Sequence, residues 1–283
     1  MKKKSRPVLK ALVQHYHSGK EDALYKFLPE KEAKLLARLD AGQAKIEELF
    51  QPSRILLQLI HYSWLAPALE AMPKQLQGPC LASLPPRLGA KVASLMGYKV
   101  PADKPCLAIQ DYLLDMLYHE AMNPKVRPRA LLPHTEFDHL LEIGKPKLVD
   151  LIDYLGIHDL VTTMRHIVDK ERVQMIMRSL RPNKRDYLKL CLRAKNPLTT
   201  PDINLSDWDG TPKQLEAKLQ RRGVARLGKA LAGQDPSLCW HITRTLDSGR
   251  GKALMRQLSP NALPGVTPFL AGQVNNIIRY MEK

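Results

Sequence analysis

Residues 134–139 place ligand-type side chains close together: His134, Glu136, Asp138 and His139. On a helix, His134 and Asp138 would stand at i and i+4, facing the same way and able to share a metal ion. The same stretch reads as a helix start. Pro133 and His134 lead in, Thr135 caps, and Asp138 falls at the third helical position, where an acid meets the positive helix end. Capping is the reading adopted, and neither a metal nor a cofactor is expected. Ser248 to Lys252 (SGRGK) ends in Gly-Lys, but Leu246 stands where a phosphate-binding loop needs its first glycine, and Ala253 where it needs Ser or Thr. His15 and His17 are two apart, so a helix would aim them in different directions. No dinucleotide fingerprint, nucleophile elbow or metalloprotease motif occurs, and the chain is expected not to be an enzyme.

Two basic patches offer a different chemistry. Arg181, Lys184, Arg185 and Lys189 form one; Arg221, Arg222, Arg226 and Lys229 form the other, and a helix carrying the second could follow a line of phosphates. Aromatic residues that would stack on bases are missing from both. Solvated helix faces explain such patches as well.

Composition sets the bounds. The chain has 283 residues, 44% hydrophobic and 25% charged, in the range of globular proteins. Lys and Arg number 44 against 28 Asp and Glu, a formal charge of +16 spread along the chain rather than gathered in a tail. A spread excess suits an acidic partner, a nucleic acid or an anionic membrane face. Cys80, Cys106, Cys191 and Cys239 lie far apart without a CxxC pair, which points to a reducing compartment. No apolar run approaches the ~20 residues needed to span a bilayer. Met1-Lys2-Lys3-Lys4 is not followed by a secretory core, since Gln14, His15, His17 and Lys20 interrupt it. A cytoplasmic location is expected.

The elements that would position these residues are helices. Strand-like alternation is nearly absent, and the fold class expected is all-α, built of stacked short helical modules. Stripes at Leu9, Leu12 and Val13, and at Leu24, Phe27 and Leu28, mark two early helices; Lys31 to Phe50 reads as a longer one, with Ser53 capping the next. Helices are expected at Ile55–Ile60, Trp64–Met72, Asp111–Met122 and Gln273–Met281, with connections at 97–106, 123–133 and 196–212. From Phe137 to Ala194 the pattern predicts four short amphipathic helices. Leu148, Leu151, Ile152 and Leu155 form one face, Gly156 breaks it, and Leu160 to Val168 restarts it. Val173 to Leu180 is the third, ended at Arg181-Pro182, and Leu188 and Leu192 belong to the fourth.

Much of this stretch recurs. Sliding the chain by 67 residues places Leu148 on Leu215, Ile152 on Leu219, Gly156 on Gly223, Leu160 on Leu227 and Met164 on Leu231. With one residue deleted, Ile176 meets Ile242, Leu180 meets Leu246, Leu188 meets Leu254 and Leu192 meets Leu258. A weaker copy covers Leu65 to Met96, where Leu84-Pro85-Pro86 stands for Leu180-Arg181-Pro182. Repeats of this kind stack into a shared core and present surfaces to partners.

At these residues the chain resembles the family of the flagellar motor switch protein FliG and FliG-like components of type III secretion machines. Phe137-Asp138-His139-Leu140-Leu141 and His158-Asp159-Leu160 are similar to the opening and the aspartate-leucine pair of that family's modules. Leu227-Gly228-Lys229-Ala230-Leu231-Ala232-Gly233 is similar to its run before a small-residue turn. Ala271-Gly272-Gln273, Ile277 and Arg279-Tyr280-Met281-Glu282 are similar to its last helix. Leu81-Ala82-Ser83-Leu84-Pro85, within 65–96, looks like its armadillo-type segment. The resemblance covers roughly 55–283.

The resemblance implies a non-enzymatic, elongated scaffold at the cytoplasmic base of a secretion or flagellar apparatus, at the cytoplasmic face of the inner membrane. The chain is divided accordingly into an N-terminal helical segment at 1–52, which the resemblance does not cover, an armadillo-like module at 53–125, a FliG-middle-like module at 126–200 and a FliG-C-like module at 201–283. Expected partners are proteins of that basal complex and further copies of the chain in a ring, with a peripheral membrane contact; a basic nucleic-acid-binding protein is the alternative. The family's ring-docking Glu-His-Pro-Gln motif corresponds to His61-Tyr62-Ser63-Trp64, and the acids of its torque ridge to Arg221, Gly223 and Arg226. The candidate partner-binding residues are therefore His61, Trp64, Arg221, Arg222, Arg226 and Lys229, which favour an adaptor without a rotary role.

Overall fold

The computed structural model describes residues 5–17, 19–39, 52–122, 125–193 and 203–282. Among these the chain is all-α, helices stacked on helices, with no strand. In chain order the helices are α1 (Ser5–Tyr16), α2 (Glu21–Tyr25), α3 (Glu30–Arg38), α4 (Pro52–Leu59), α5 (Tyr62–Ala71), α6 (Lys74–Ser83), α7 (Pro86–Met96), α8 (Leu107–Ala121), α9 (Lys145–Arg165), α10 (Lys170–Ser179), α11 (Pro182–Arg193), α12 (Pro212–Ala230), α13 (Pro236–Thr245), α14 (Ser248–Met255) and α15 (Val266–Met281). By contact, the chain forms two compact units.

The first unit comprises Met1–His134 and Asp235–Arg244. Its main core is built by α4 to α8 from Leu57, Leu65, Leu69, Leu81, Val92, Leu113 and Leu117, and Trp240 of α13 packs against it. A smaller cluster of Val13, Tyr25 and Leu36 joins α1, α2 and α3. Prolines separate these short helices: Pro73 and Pro85 each stand immediately before one, where a missing N–H costs nothing.

The second unit comprises Thr135–Gln234 and Thr245–Lys283, and α9 is its centre. Twelve of its residues are buried, around the whole circumference rather than on one stripe. A helix enclosed on all sides has no polar face to spare, so Asp153 and Asp159 within it must find charged partners.

Several sequence-based boundaries move. Gly156 does not break the helix: Lys145–Arg165 is continuous through it, so the two runs expected there are one helix. Gly223 likewise sits inside α12. An interior glycine costs about 1 kcal/mol against alanine, too little to end a helix that is packed on every side. The long helix expected from Lys31 to Phe50 covers Glu30–Arg38, and residues 40–51 lie outside the described ones. Pro52 opens α4, so Ser53 stands inside its first turn and is not a cap. The last helix begins at Val266, ahead of Gln273, and α8 begins at Leu107, ahead of Asp111.

The repeat is carried by the helix ends. α9, α10 and α11 start at 145, 170 and 182; α12, α13 and α14 start at 212, 236 and 248. These starts follow the 67-residue shift and then the single deletion. The weaker copy keeps the last two members, as α6 and α7, with the same spacing between their starts. The matched positions Leu148 and Leu215, Ile152 and Leu219, Leu160 and Leu227, Ile176 and Ile242, and Leu188 and Leu254 are all buried.

Candidate functional site

Where α9 crosses α12, the contact is reciprocal. A Cβ on Gly156 would overlap the Leu219 carbonyl oxygen, and a Cβ on Gly223 would overlap that of Ile152. Gly156 and Gly223 are repeat equivalents, and so are Ile152 and Leu219. The two copies therefore meet as subunits of a two-fold dimer do, each presenting the same patch to the other. Glycine is required at both positions because the backbones touch.

One turn further along lies a buried charge cluster. Asp159 accepts from Arg226 Nη2 at 2.5 Å and Nε at 2.8 Å, and from Arg222 Nε at 2.6 Å. Asp159 is 1% exposed and Arg226 3%. Arg226 Nη1 also donates to Gln273 Oε1 at 2.8 Å, and Gln273 Nε2 donates to His158 Nδ1 at 3.4 Å. With Nδ1 accepting, the His158 proton sits on Nε2 and is donated to the Tyr187 hydroxyl at 3.0 Å. Burial, reinforced by the Arg226 charge, pushes the His158 imidazolium down to about 4, so the ring is neutral at pH 7.

The expected basic patch is thereby divided. Arg222 and Arg226 point inward and are consumed by Asp159, whereas Arg221 and Lys229 are exposed. A continuous line of cations along α12 does not form. The other patch is likewise spoken for. Lys184 is buried and donates to Asp153 Oδ2 at 2.5 Å; Arg181 lies 3.7 Å from Glu216, Lys189 pairs with Asp186, and Arg185 donates to the Leu180 carbonyl. Burial pushes the Asp153 carboxyl up in spite of Lys184. In the second copy the equivalent of the Lys184–Asp153 contact is Arg250 donating to Gln220 at 3.1 Å.

The remaining candidates lie in the first unit. His61 Nδ1 accepts from the Ser63 N–H and caps α5, and the backbone N–H of His61 donates to the Arg244 carbonyl. Trp64 is half-buried, with the Arg244 guanidinium 3.8 Å above its ring and 5.2 Å from that of Trp240. Burial pulls the Arg244 guanidinium down. Both residues are part of how α5 and α13 are held.

The hydrogen bonds of the expected cap are present, Thr135 N–H donating to Asp138 at 3.1 Å and Phe137 N–H to the Thr135 hydroxyl at 3.2 Å, but no α-helix starts there. They precede a 3-10 turn, Asp138–Leu141, whose N-cap position is Phe137 and bears no side-chain cap, and α9 begins only at Lys145. Among the described residues no group of three His, Cys, Asp or Glu side chains converges as a metal site needs. Ser248 to Lys252 lies within α14, whose N-terminus holds the Asp247 carboxylate; it accepts from Arg250 N at 3.1 Å and Nη1 at 2.6 Å. An anion already fills the place a phosphate would take. All four cysteines are free, and only Cys106 is exposed.

Sequence reasoning missed an open groove of about 380 Å³ between α12 and α14, lined by Gln220, Arg221, Val224, Arg250, Ala253 and Arg256. Its signal was present in the repeat, which sets Arg221 opposite Tyr154 and Ala253 opposite Tyr187. No helix among the described residues is long and apolar enough to cross a membrane. Compared with family models, with curated proteins and with solved structures, the chain finds no match.

Proposed function

We propose that the chain is a non-enzymatic adaptor of a type III secretion or flagellar basal apparatus, resembling FliG, which binds partner proteins through helical grooves and basic surface. The observation that carries this reading is the reciprocal crossing of α9 and α12. Within the second unit it packs the first helices of two copies of one helical repeat against each other and pairs the charges buried at their crossing, while Arg221 and Lys229 face outward. The order of FliG-like motifs from 55 to 283 supports the choice of apparatus. An anionic inner leaflet and further copies of the chain are additional contacts of this adaptor.

The test is affinity purification of the intact, tagged protein after cross-linking in its own cells. The proposal expects secretion or flagellar basal components to be enriched. Recovery of none of them, or of nucleic acid and its binding proteins in their place, overturns it.

A further inference from the structure

The two copies treat equivalent grooves differently. In the first copy the groove between α9 and α11 is covered. Tyr280, in the last turn of α15, lies with its ring 5.8 Å from that of Tyr154 and 4.9 Å from that of Tyr187. Tyr154 and Tyr187 are themselves 4.8 Å apart, and Lys184 below them is neutralised by Asp153. An end of a helix thus fills this groove with an aromatic side chain.

In the second copy the positions of Tyr154 and Tyr187 are taken by Arg221 and Ala253, and the groove is open. Val224 is buried and forms the floor with Ala253, where the small side chain leaves the space that Tyr187 fills in the first copy. Arg250 is matched by Asp247 at 2.6 Å. Arg221 and Arg256 are exposed and have no carboxylate on them among the described residues. The groove is therefore an apolar floor under two uncompensated cations.

We infer that the groove between α12 and α14 receives the end of a helix from a partner protein, a helix that carries an apolar or aromatic anchor beside two or more carboxylates. The anchor takes the space above Ala253 and Val224 that Tyr280 occupies in the first copy. The carboxylates meet Arg221 and Arg256, each able to bind one in the bidentate fashion of a guanidinium. The end of this chain's own α15 does not fit as the occupant, because it sets Arg279 beside Tyr280 and offers a single carboxylate, Glu282, where two are called for. Helix-in-groove docking of this kind is a mode adaptor proteins use, and the inference rests on the adaptor reading for its biological setting.

The experiment pans a displayed library of helical 16-residue peptides against the full chain, and then measures the enriched peptides by fluorescence anisotropy. Peptides with Asp or Glu flanking Tyr, Phe or Leu are expected. Arg221→Glu should weaken them at least tenfold. Ala253→Trp, which fills the groove and leaves the arginines in place, should do the same, with unchanged circular dichroism in both variants. Raising salt from low to physiological should weaken them further. Enrichment of neutral or basic peptides, or acidic peptides indifferent to both substitutions, overturns the inference. Cross-linked purification separates this from the adaptor reading. Basal components recovered equally by wild type and by Ala253→Trp would overturn the groove alone. Acidic peptides that bind through the groove, with no basal component recovered, would overturn the apparatus and leave the groove standing.

Discussion

Asp159 and Arg226 are the same position in two copies of one repeat, and they are bonded to each other in the interior. In a dimer of identical units, a residue on the two-fold axis faces its own copy, so a charged residue there meets its like. Joining the copies in one chain removes that restriction. One copy carries the acid, the other the base, and the position of repulsion becomes an ion pair. Such a pair contributes little net stability, since desolvation offsets attraction, but removing one partner is costly.

Arg226→Met therefore leaves Asp159 buried with Arg222 alone and should cost about 3–5 kcal/mol. Asp159→Leu combined with Arg226→Met should recover most of that loss, since no charge is then stranded. Arg221→Ala on the same helix, being exposed, should change stability by less than ~0.5 kcal/mol. Urea unfolding followed by circular dichroism decides; equal losses for Arg221 and Arg226 would contradict the division of the patch.

The glycines supply a prediction whose sign is informative. Glycine to alanine inside a helix ordinarily stabilises by ~0.5–1 kcal/mol. Gly272 in α15 has nothing near its Cβ position, and Gly272→Ala should show that gain. Gly156→Ala and Gly223→Ala should instead destabilise, by at least ~1–3 kcal/mol, because each methyl overlaps backbone of the opposite helix. Thermal unfolding of the three variants checks the order.

Much of the helical content was legible in the sequence, and two failures share a cause. Gly156 reads as a break because glycine weakens a helix; it also marks where another backbone comes close, and periodicity alone does not separate the two. The coincidence of Gly156 with Gly223 was the available signal for a crossing. Arg222 and Arg226 read as a solvated patch because a charge does not announce its partner. The shift of 67 residues sets Arg226 on Asp159, but a match of opposite charges is no similarity, and an alignment by likeness passes over it. The groove beside Arg221 is a missing side chain at Ala253, visible only once the other copy shows what belongs there.

His158 gives the pH dependence. Its folded value of about 4 lies below the ~6.5 of an unfolded chain, so the unfolded state binds more protons between the two. Stability should be complete above about pH 6.5 and fall, by up to about 3 kcal/mol, as the pH drops to about 4. His241 in the first unit, also pushed down to about 4 by burial, acts in the same window. For Asp247, burial pushes upward, but Arg250 and Lys145 together outweigh it and hold the carboxyl at about 2. Its contribution persists above the unfolded value near 4 and is lost only below that. His158→Gln, which keeps a donor and an acceptor, should flatten the fall; denaturant midpoints at pH 7, 5.5 and 4.5 test it. An unchanged slope in the variant would count against the buried neutral ring.

Trp64 is assigned to packing. Trp64→Ala should cost the first unit about 3 kcal/mol, near the low end for a large aromatic, because it is half-buried and also loses the Arg244 contact. The acidic peptides that occupy the α12–α14 groove should bind this variant as they bind the wild type. A stable Trp64→Ala protein that no longer recovers basal components would return Trp64 to the partner surface.

Amide hydrogen exchange on intact wild type and Gly156→Ala addresses the central claim, that α9 and α12, the first helices of the two copies, act as one body through their crossing. The amides of 148–160 and 215–227 should be the slowest of the second unit and open with one common free energy, and Gly156→Ala should lower protection in both helices alike. Loss of protection in α9 with α12 unaffected would mean that the copies are separate units, and the account would fail.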